Sequence, residues 1–143
     1  MGRRGDARRD ATGDDTGAAA VEFALVALPL FVLLFGIIQY GLLMAQTMAA
    51  SSVAHDGARW AATGVLDCAA WNADMLRRAG NEGLSSSLNP NPDMTVDVTK
   101  GVATASVTFV PLQVVPLVPI PAGVTRTATV DLENLPASGK TSC

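Results

Sequence analysis

One long uncharged stretch limits what this chain can fold into. From Phe23 to Val53 the sequence contains no Asp, Glu, Lys, Arg or His. Its most apolar part, Phe23 to Met44, is long enough to cross a hydrocarbon layer of roughly 30 Å as a helix that rises about 1.5 Å per residue. We therefore expect a long helix over residues 18–63, with a membrane span at about residues 22–44, and the sequence offers no second span.

The charges that flank this span predict its orientation. Arginines at positions 3, 4, 8 and 9 precede it, whereas the first basic residue after it is Arg59. Because Lys and Arg accumulate on the cytoplasmic side of membrane helices, and Asp and Glu have little influence, the N-terminus should be cytoplasmic and the C-terminal region extracytoplasmic.

A cleaved secretory signal is the alternative. Its basic region would be long and rich in Asp, and its best cleavage site, near Ala54, would come late.

The regions on either side of the helix differ in composition. Residues 1–17 are mostly Gly, Arg, Asp and Thr without apolar periodicity, so they should form a flexible cytoplasmic leader. After the span, strong helix formers continue to Thr63, and Gly64 is a suitable stop. Residues 64–143 should then form a small extracytoplasmic domain.

Periodicity predicts the α+β fold class for this outer domain. Trp71, Met75 and Ala79 recur at helical spacing, and residues 94–99, 102–110 and 124–132 alternate between apolar and polar side chains as strands do. Lys100 and Gly101 suit a tight turn between the first two strands. A helix should cover the apolar face of this three-stranded antiparallel sheet. The proline-rich segment 111–121 should pack on the sheet through its apolar residues, with docking of a partner as the alternative.

The two cysteines, Cys68 and Cys143, would both lie on the oxidising side of the membrane. A disulfide between them and two free thiols are both compatible with the sequence. If the bridge forms, it closes a long loop and restricts the unfolded chain.

The sequence lacks the residues that several classes of function need. The net charge of -3, without a basic stripe, does not suit nucleic acid. His55 is the only histidine, and the sequence contains no metal-ligand spacing, catalytic triad or phosphate loop. We therefore predict a protein that is not an enzyme and takes no cofactor, metal or small-molecule substrate. The alternatives are a single-span anchored binding or scaffold protein, and an anchored enzyme, which would need a reactive constellation in residues 65–143.

Two features of the apolar stretch point to contacts with other helices. Glu22 stands at its start, and a carboxylate in a bilayer costs a few kcal/mol, so such a residue usually has a partner or a function. An interfacial charge that reaches water is the alternative. Gly41, Ala45 and Ala49 form a small-xxx-small pattern that permits close helix packing, although the abundance of Ala also explains it.

The surroundings of Glu22 resemble a known family. Gly17 precedes Glu22-Phe23 in a Gly-x-x-x-x-Glu-Phe pattern that resembles the processing site of type IV prepilins of the Flp type. The longer pattern Gly-x-x-x-Val-Glu-Phe-Ala, followed by Tyr40-Gly41 and by Gly57-Ala58-Arg59, is similar to the N-terminal region of TadE-like proteins.

This resemblance implies a pseudopilin-like role in a tight-adherence pilus or a related secretion apparatus. A prepilin peptidase would cut between Gly17 and Ala18, and Glu22 and Phe23 would guide assembly. The Glu22 carboxylate of one subunit would pair with the Ala18 amine of a neighbour. The implied partners are other pilins or TadE-like subunits and the pilus machinery, in a bacterial cell membrane or a surface filament.

Overall fold

The computed structural model describes residues 12–63, 67–132 and 140–143. It divides into two compact units, Met1–Ile37 and Ile38–Cys143. Its elements are helix α1 (Thr12–Ala62), helix α2 (Cys68–Asn81), a 3-10 helix (Ser86–Leu88), and strands β1 (Asn91–Asp97), β2 (Val102–Phe109), β3 (Val124–Asp131) and β4 (Lys140–Ser142).

Helix α1 begins earlier than the sequence predicts. We expected a flexible leader up to residue 17, but residues 12–17 already belong to the helix. Extending a formed helix avoids the cost of nucleation, so polar residues next to a long apolar helix adopt its conformation. The rest of the leader, residues 1–11, lies outside the described residues, as does Gly64, the predicted stop. Ala62 is the last residue of the helix, and Thr63 forms a turn in which its N–H donates to the carbonyl of Trp60 at 3.1 Å.

The part of α1 in the first unit exposes its apolar side chains. Phe23 is 74% exposed, and the other large hydrophobic residues from Val21 to Ile37 are mostly exposed as well. The rings of Phe31 and Phe35 stack one turn apart, with their centroids separated by 6.2 Å. Among the described residues, the helical stretch Gly17–Ala62 is long enough and apolar enough to cross a membrane. This agrees with the predicted span.

The second unit contains a four-stranded antiparallel sheet in the order β3-β2-β1-β4. Ala105 in β2 lies opposite Met94 of β1 on one side and Ala128 of β3 on the other. The prediction of an α+β fold is confirmed. Strand β4, which pairs with Thr95–Asp97, was not predicted, because three residues are too few to show an alternating pattern.

The core of this unit lies between one face of the sheet and the two helices. Alternate residues of β1 and β2 are buried, β3 buries Ala128, and α2 buries Trp71, Met75 and Ala79 at the predicted spacing. Helix α1 contributes mainly small side chains to the same cluster: Ala49, Ala50, Val53, Ala54, Ala58, Ala61 and Ala62. A helix with an alanine face can lie close to its neighbours.

Gly57 is the point of closest approach on this alanine face. A Cβ atom at Gly57 would lie 2.9 Å from Sδ of Met75, 3.1 Å from Cζ2 of Trp71 and 3.3 Å from Cβ of Ala105. The indole Nε1 of Trp71 donates a hydrogen bond to the carbonyl of Gly57 at 3.2 Å. The missing side chain therefore makes room for α2 and the sheet at the same position.

Helix α2 starts where Asp67 caps it. The carboxylate Oδ1 of Asp67 accepts hydrogen bonds from the backbone N–H groups of Ala69 at 3.0 Å and Ala70 at 3.2 Å. These donors have no acceptor inside the first turn of a helix, so the cap satisfies them. The helix ends at Asn81, and Gly83 follows with a φ of +90°, a conformation that glycine adopts without strain.

Candidate functional site

The segment from Gly17 to Phe23 forms one exposed stretch of α1. Gly17 is helical, and a Cβ atom added there would meet no heavy atom within 4 Å. Glu22 and Phe23 are also exposed. The predicted site residues therefore lie within less than two turns of one helix, and their side chains face outward from it.

The helix brings Ala18 and Glu22 onto one face. Residues four apart in a helix are neighbours on its surface, so the carboxylate at 22 lies one turn after Ala18. The peptide bond between Gly17 and Ala18 is itself helical. A protease that binds an extended chain must therefore first unwind the turns that hold this bond.

The predicted small-residue face is divided. Gly41 and Ala45 are exposed, whereas Ala49 is only 7% exposed because it packs in the core of the outer unit. Each step of four residues rotates the position by about 40° around a helix with 3.6 residues per turn. The three residues therefore do not form one exposed surface, and only Gly41 and Ala45 are open to another helix.

Sequence reasoning missed a polar cluster on α1 that holds the loop between β2 and β3. Gln39 is fully buried, and its Nε2 donates to the carbonyl of Leu112 at 2.8 Å. Its Oε1 accepts from the backbone N–H groups of Val114 at 2.9 Å and Val115 at 3.1 Å. The sequence does contain a signal for this cluster, because the uncharged stretch includes two polar residues with amide side chains, Gln39 and Gln46.

Two further contacts attach this loop to α1. The Leu112 N–H donates to Oε1 of Gln46 at 3.3 Å, and the Tyr40 hydroxyl donates to the carbonyl of Pro119 at 3.3 Å. The loop was expected to pack on the sheet through its apolar residues. Instead, Leu112, Val114 and Leu117 are exposed, because the backbone of the loop is bound by polar side chains of the helix.

Ion pairs connect α1 to α2. Arg78 contacts Asp56 of α1 at 2.9 Å and Asp74 of its own helix at 2.6 Å, and Arg77 also pairs with Asp74. Hydrogen bonds from Arg78 and then Arg77 lower the pKa of Asp74 below its usual 3.8, and the Asp74 hydrogen bond raises the pKa of Arg78. Because the side chain of Arg78 is 44% exposed, these pairs serve mainly to orient the helices.

The two cysteines form a disulfide in the structure. Cys68 begins α2 and Cys143 follows β4, and their Cα atoms are 5.5 Å apart. The Cys143 N–H also donates to the carbonyl of Met94 at 2.8 Å. The bond therefore fixes the last described residue to the start of α2, next to the edge of the sheet.

His55 lies on the exposed side of α1. Among the described residues there is no group of three or more His, Cys, Asp or Glu side chains that could hold a metal ion.

A family model matches most of helix α1, on which Gly17, Glu22 and Phe23 lie. No curated protein and no solved structure matches the chain. The model of TadE-like proteins, however, matches residues 17–59. The match begins at Gly17, contains Glu22 and Phe23, and includes Gly57, whose packing in the core is described above. Residues 17–59 are therefore a TadE-like segment, and the resemblance expected from the sequence is confirmed.

Proposed function

We propose that this chain is a pseudopilin-like subunit of a tight-adherence pilus or a related secretion apparatus. The observation that carries the proposal is the TadE-like match over residues 17–59, which indicates involvement in tight-adherence pilus assembly. This family is structural rather than catalytic. In this proposal the chain is a single-pass protein of a bacterial cell membrane. Its N-terminus is cytoplasmic and its C-terminal domain is extracytoplasmic. Incorporation into a surface filament is compatible with this topology.

The first step of the proposed function is cleavage between Gly17 and Ala18 by a prepilin peptidase. Gly17 supports this step because glycine weakens a helix by roughly 0.5–1 kcal/mol relative to alanine, so the bond is easier to unwind there. The open space around Gly17 also leaves the site uncovered by the described part of the protein. The arginines before the span would keep it on the cytoplasmic side.

Cleavage would change the electrostatics at the start of α1. Ala18 would gain an ammonium group, and the first N–H groups of the shortened helix would lose their acceptors in residues 14–17. Both changes add positive charge at the helix N-terminus, which attracts a carboxylate. Glu22 would then pair with the Ala18 amine of a neighbouring subunit and so fix the stagger between the two subunits.

Substitution of Glu22 tests its role in assembly. Glu22→Gln removes the charge and keeps the shape, so membrane insertion should persist while recovery of assembled pili or of the partner complex falls. Glu82→Gln is the matched control, because Glu82 is an exposed residue at the end of α2. Normal piliation in the Glu22 variant would remove the proposed pairing.

The mass of the mature chain tests cleavage. Co-expression with a prepilin peptidase should reduce the intact mass by the mass of residues 1–17. Gly17→Val should accumulate the precursor, because a bulky side chain at this position would obstruct a protease site that receives the bare backbone of glycine. Gly36→Val is the control, since Gly36 is in the same helix and also has open space around it.

Two outcomes of this experiment would overturn the pseudopilin function. An unchanged mass in the presence of the peptidase would favour an anchored binding or scaffold protein that is not processed. A cut near Ala54 would favour a secreted domain released by signal peptidase.

A further inference from the structure

We propose that the loop between β2 and β3, residues 110–123, lies in the lipid interface and forms a second membrane contact beside α1. The proposal requires that α1 crosses a membrane, and it does not require a role in pilus assembly. The ligand is the lipid surface itself, at the boundary between acyl chains and headgroups. Three observations within the second unit support it: the position of the loop, its hydrogen bonds and its outer surface.

The loop is attached to α1 within the stretch that should enter the bilayer. Gln39 and Tyr40, which bind it, precede Met44, where the most apolar part of the helix ends. At about 1.5 Å per residue, Gln39 lies within roughly 8 Å of that end. A loop fixed there lies beside the outer end of the span, at the depth of the interface. Tyr40 itself is of a type that is enriched at this depth.

Several backbone groups of the loop have partners inside the protein, as backbone near lipid requires. Non-helical backbone is tolerated at membrane depth only when its polar groups are satisfied without water. Four prolines in the loop have no N–H to satisfy: Pro111, Pro116, Pro119 and Pro121. Four of its other N–H groups have acceptors in the side chains of Gln39 and Gln46 or in the loop: those of Leu112, Val114, Val115 and Val118. The complete burial of Gln39 shows how closely the loop covers it.

The outer surface of the loop is apolar. Leu117 is 83% exposed and Val114 is 53% exposed, and Val110 and Leu112 are exposed on the same loop. From Val102 to Thr125 the sequence contains no Asp, Glu, Lys, Arg or His. In water such a surface is unfavourable, whereas contact with acyl chains removes it from water at no electrostatic cost. Tyr40, whose hydroxyl contacts the loop, is also exposed in the same unit.

A spin label on the loop tests the lipid contact. The full chain carrying Leu117→Cys would be labelled and placed in vesicles of phosphatidylethanolamine and phosphatidylglycerol. Collisions of the label with oxygen, which concentrates in lipid, would be compared with those of a water-soluble nickel chelate. Ser87→Cys is the control, because Ser87 is exposed on the 3-10 helix of the same domain. We expect oxygen to dominate at position 117 and nickel to dominate at position 87.

Two results would overturn the proposal. Equal access of nickel to positions 117 and 87 would place the loop in water. Protection of position 117 from both reagents would place it against protein, and dipolar broadening between labels would then identify a second copy of this chain. Neither result bears on cleavage at Gly17, so failure here is distinguishable from failure of the proposed function.

A second variant tests the way in which the loop is held. Gln39→Leu replaces the amide by an apolar group and removes all three hydrogen bonds, so the label at 117 should become more accessible to nickel. Gln113→Leu is the matched control, because the Gln113 side chain donates to Pro116 and Val118 within the loop. No change in the Gln39 variant would refute a positioning role for this glutamine.

Discussion

Gly57 offers a direct test of how closely α1 packs against the rest of the outer unit. The perturbation is Gly57→Ala, which adds one methyl group. In the structure this group would lie closer than ordinary contact to buried atoms of Met75, Trp71 and Ala105. Trp71 is also held by its hydrogen bond to the Gly57 carbonyl, so it cannot retreat without losing that bond.

The expected magnitude follows from two opposing effects. Overpacking a filled core typically costs about 1–3 kcal/mol, and we expect the upper half of this range because three buried groups must shift. Replacing glycine by alanine within a helix returns about 1 kcal/mol. The net loss should be about 1–2 kcal/mol. At roughly 4–8 °C per kcal/mol for a domain of this size, the Tm should fall by roughly 4–16 °C.

Gly80→Ala is the matched control. Gly80 is also helical, but a Cβ atom there would meet nothing within 4 Å, so the variant should gain about 0.5–1 kcal/mol from helix propensity alone. Unfolding of the full chain in micelles would be followed by tryptophan fluorescence, to which the buried Trp71 and the partly buried Trp60 both contribute. Equal stabilisation in both variants would refute the close approach at Gly57.

The disulfide and the Asp74 ion pairs give two further predictions. Replacing both Cys68 and Cys143 by Ser should lower the free energy of unfolding by about 4 kcal/mol, because the 75-residue separation makes a long closed loop. Two alkylatable thiols in freshly isolated protein would contradict the bridge. Because the pKa of Asp74 is lowered in the folded state by Arg78 and Arg77, its contribution to stability should be complete above its usual pKa of 3.8 and lost as the pH falls through the lower folded value. Asp74→Asn should flatten the acid limb of a stability curve measured from pH 7 to pH 2, and an unchanged limb would contradict this assignment.

Regular patterns made part of this fold predictable from sequence. The length of the uncharged stretch predicted the long helix, and the spacing of Trp71, Met75 and Ala79 predicted α2, in which period and burial coincide. The strand alternation likewise placed Met94 and Val96 in the core. These features depend on residues close together in the sequence, which is why they need no knowledge of the tertiary structure.

The features that were missed depend on distant contacts. Strand β4 exists through pairing with β1, and the loop is fixed by Gln39, which is more than seventy residues away from the groups that it binds. Ala49 illustrates the same limit, because a small residue suits both packing against another subunit and burial in its own domain. The roles of Gly17, Glu22 and Phe23 remain predictions, since these residues act on partners rather than on the fold.

Because the buried face of α1 consists mainly of alanine, only some mutagenesis experiments can detect how closely it packs. Six of its buried residues are already alanine: Ala49, Ala50, Ala54, Ala58, Ala61 and Ala62. An alanine scan would pass over all of them and would test this face only at Val53 and Gly57. A scan with leucine would give the opposite result, because each added side chain must displace neighbours that have little room to move. Sensitivity at these six positions will therefore depend on the size of the residue introduced, and alanine scanning will not report it.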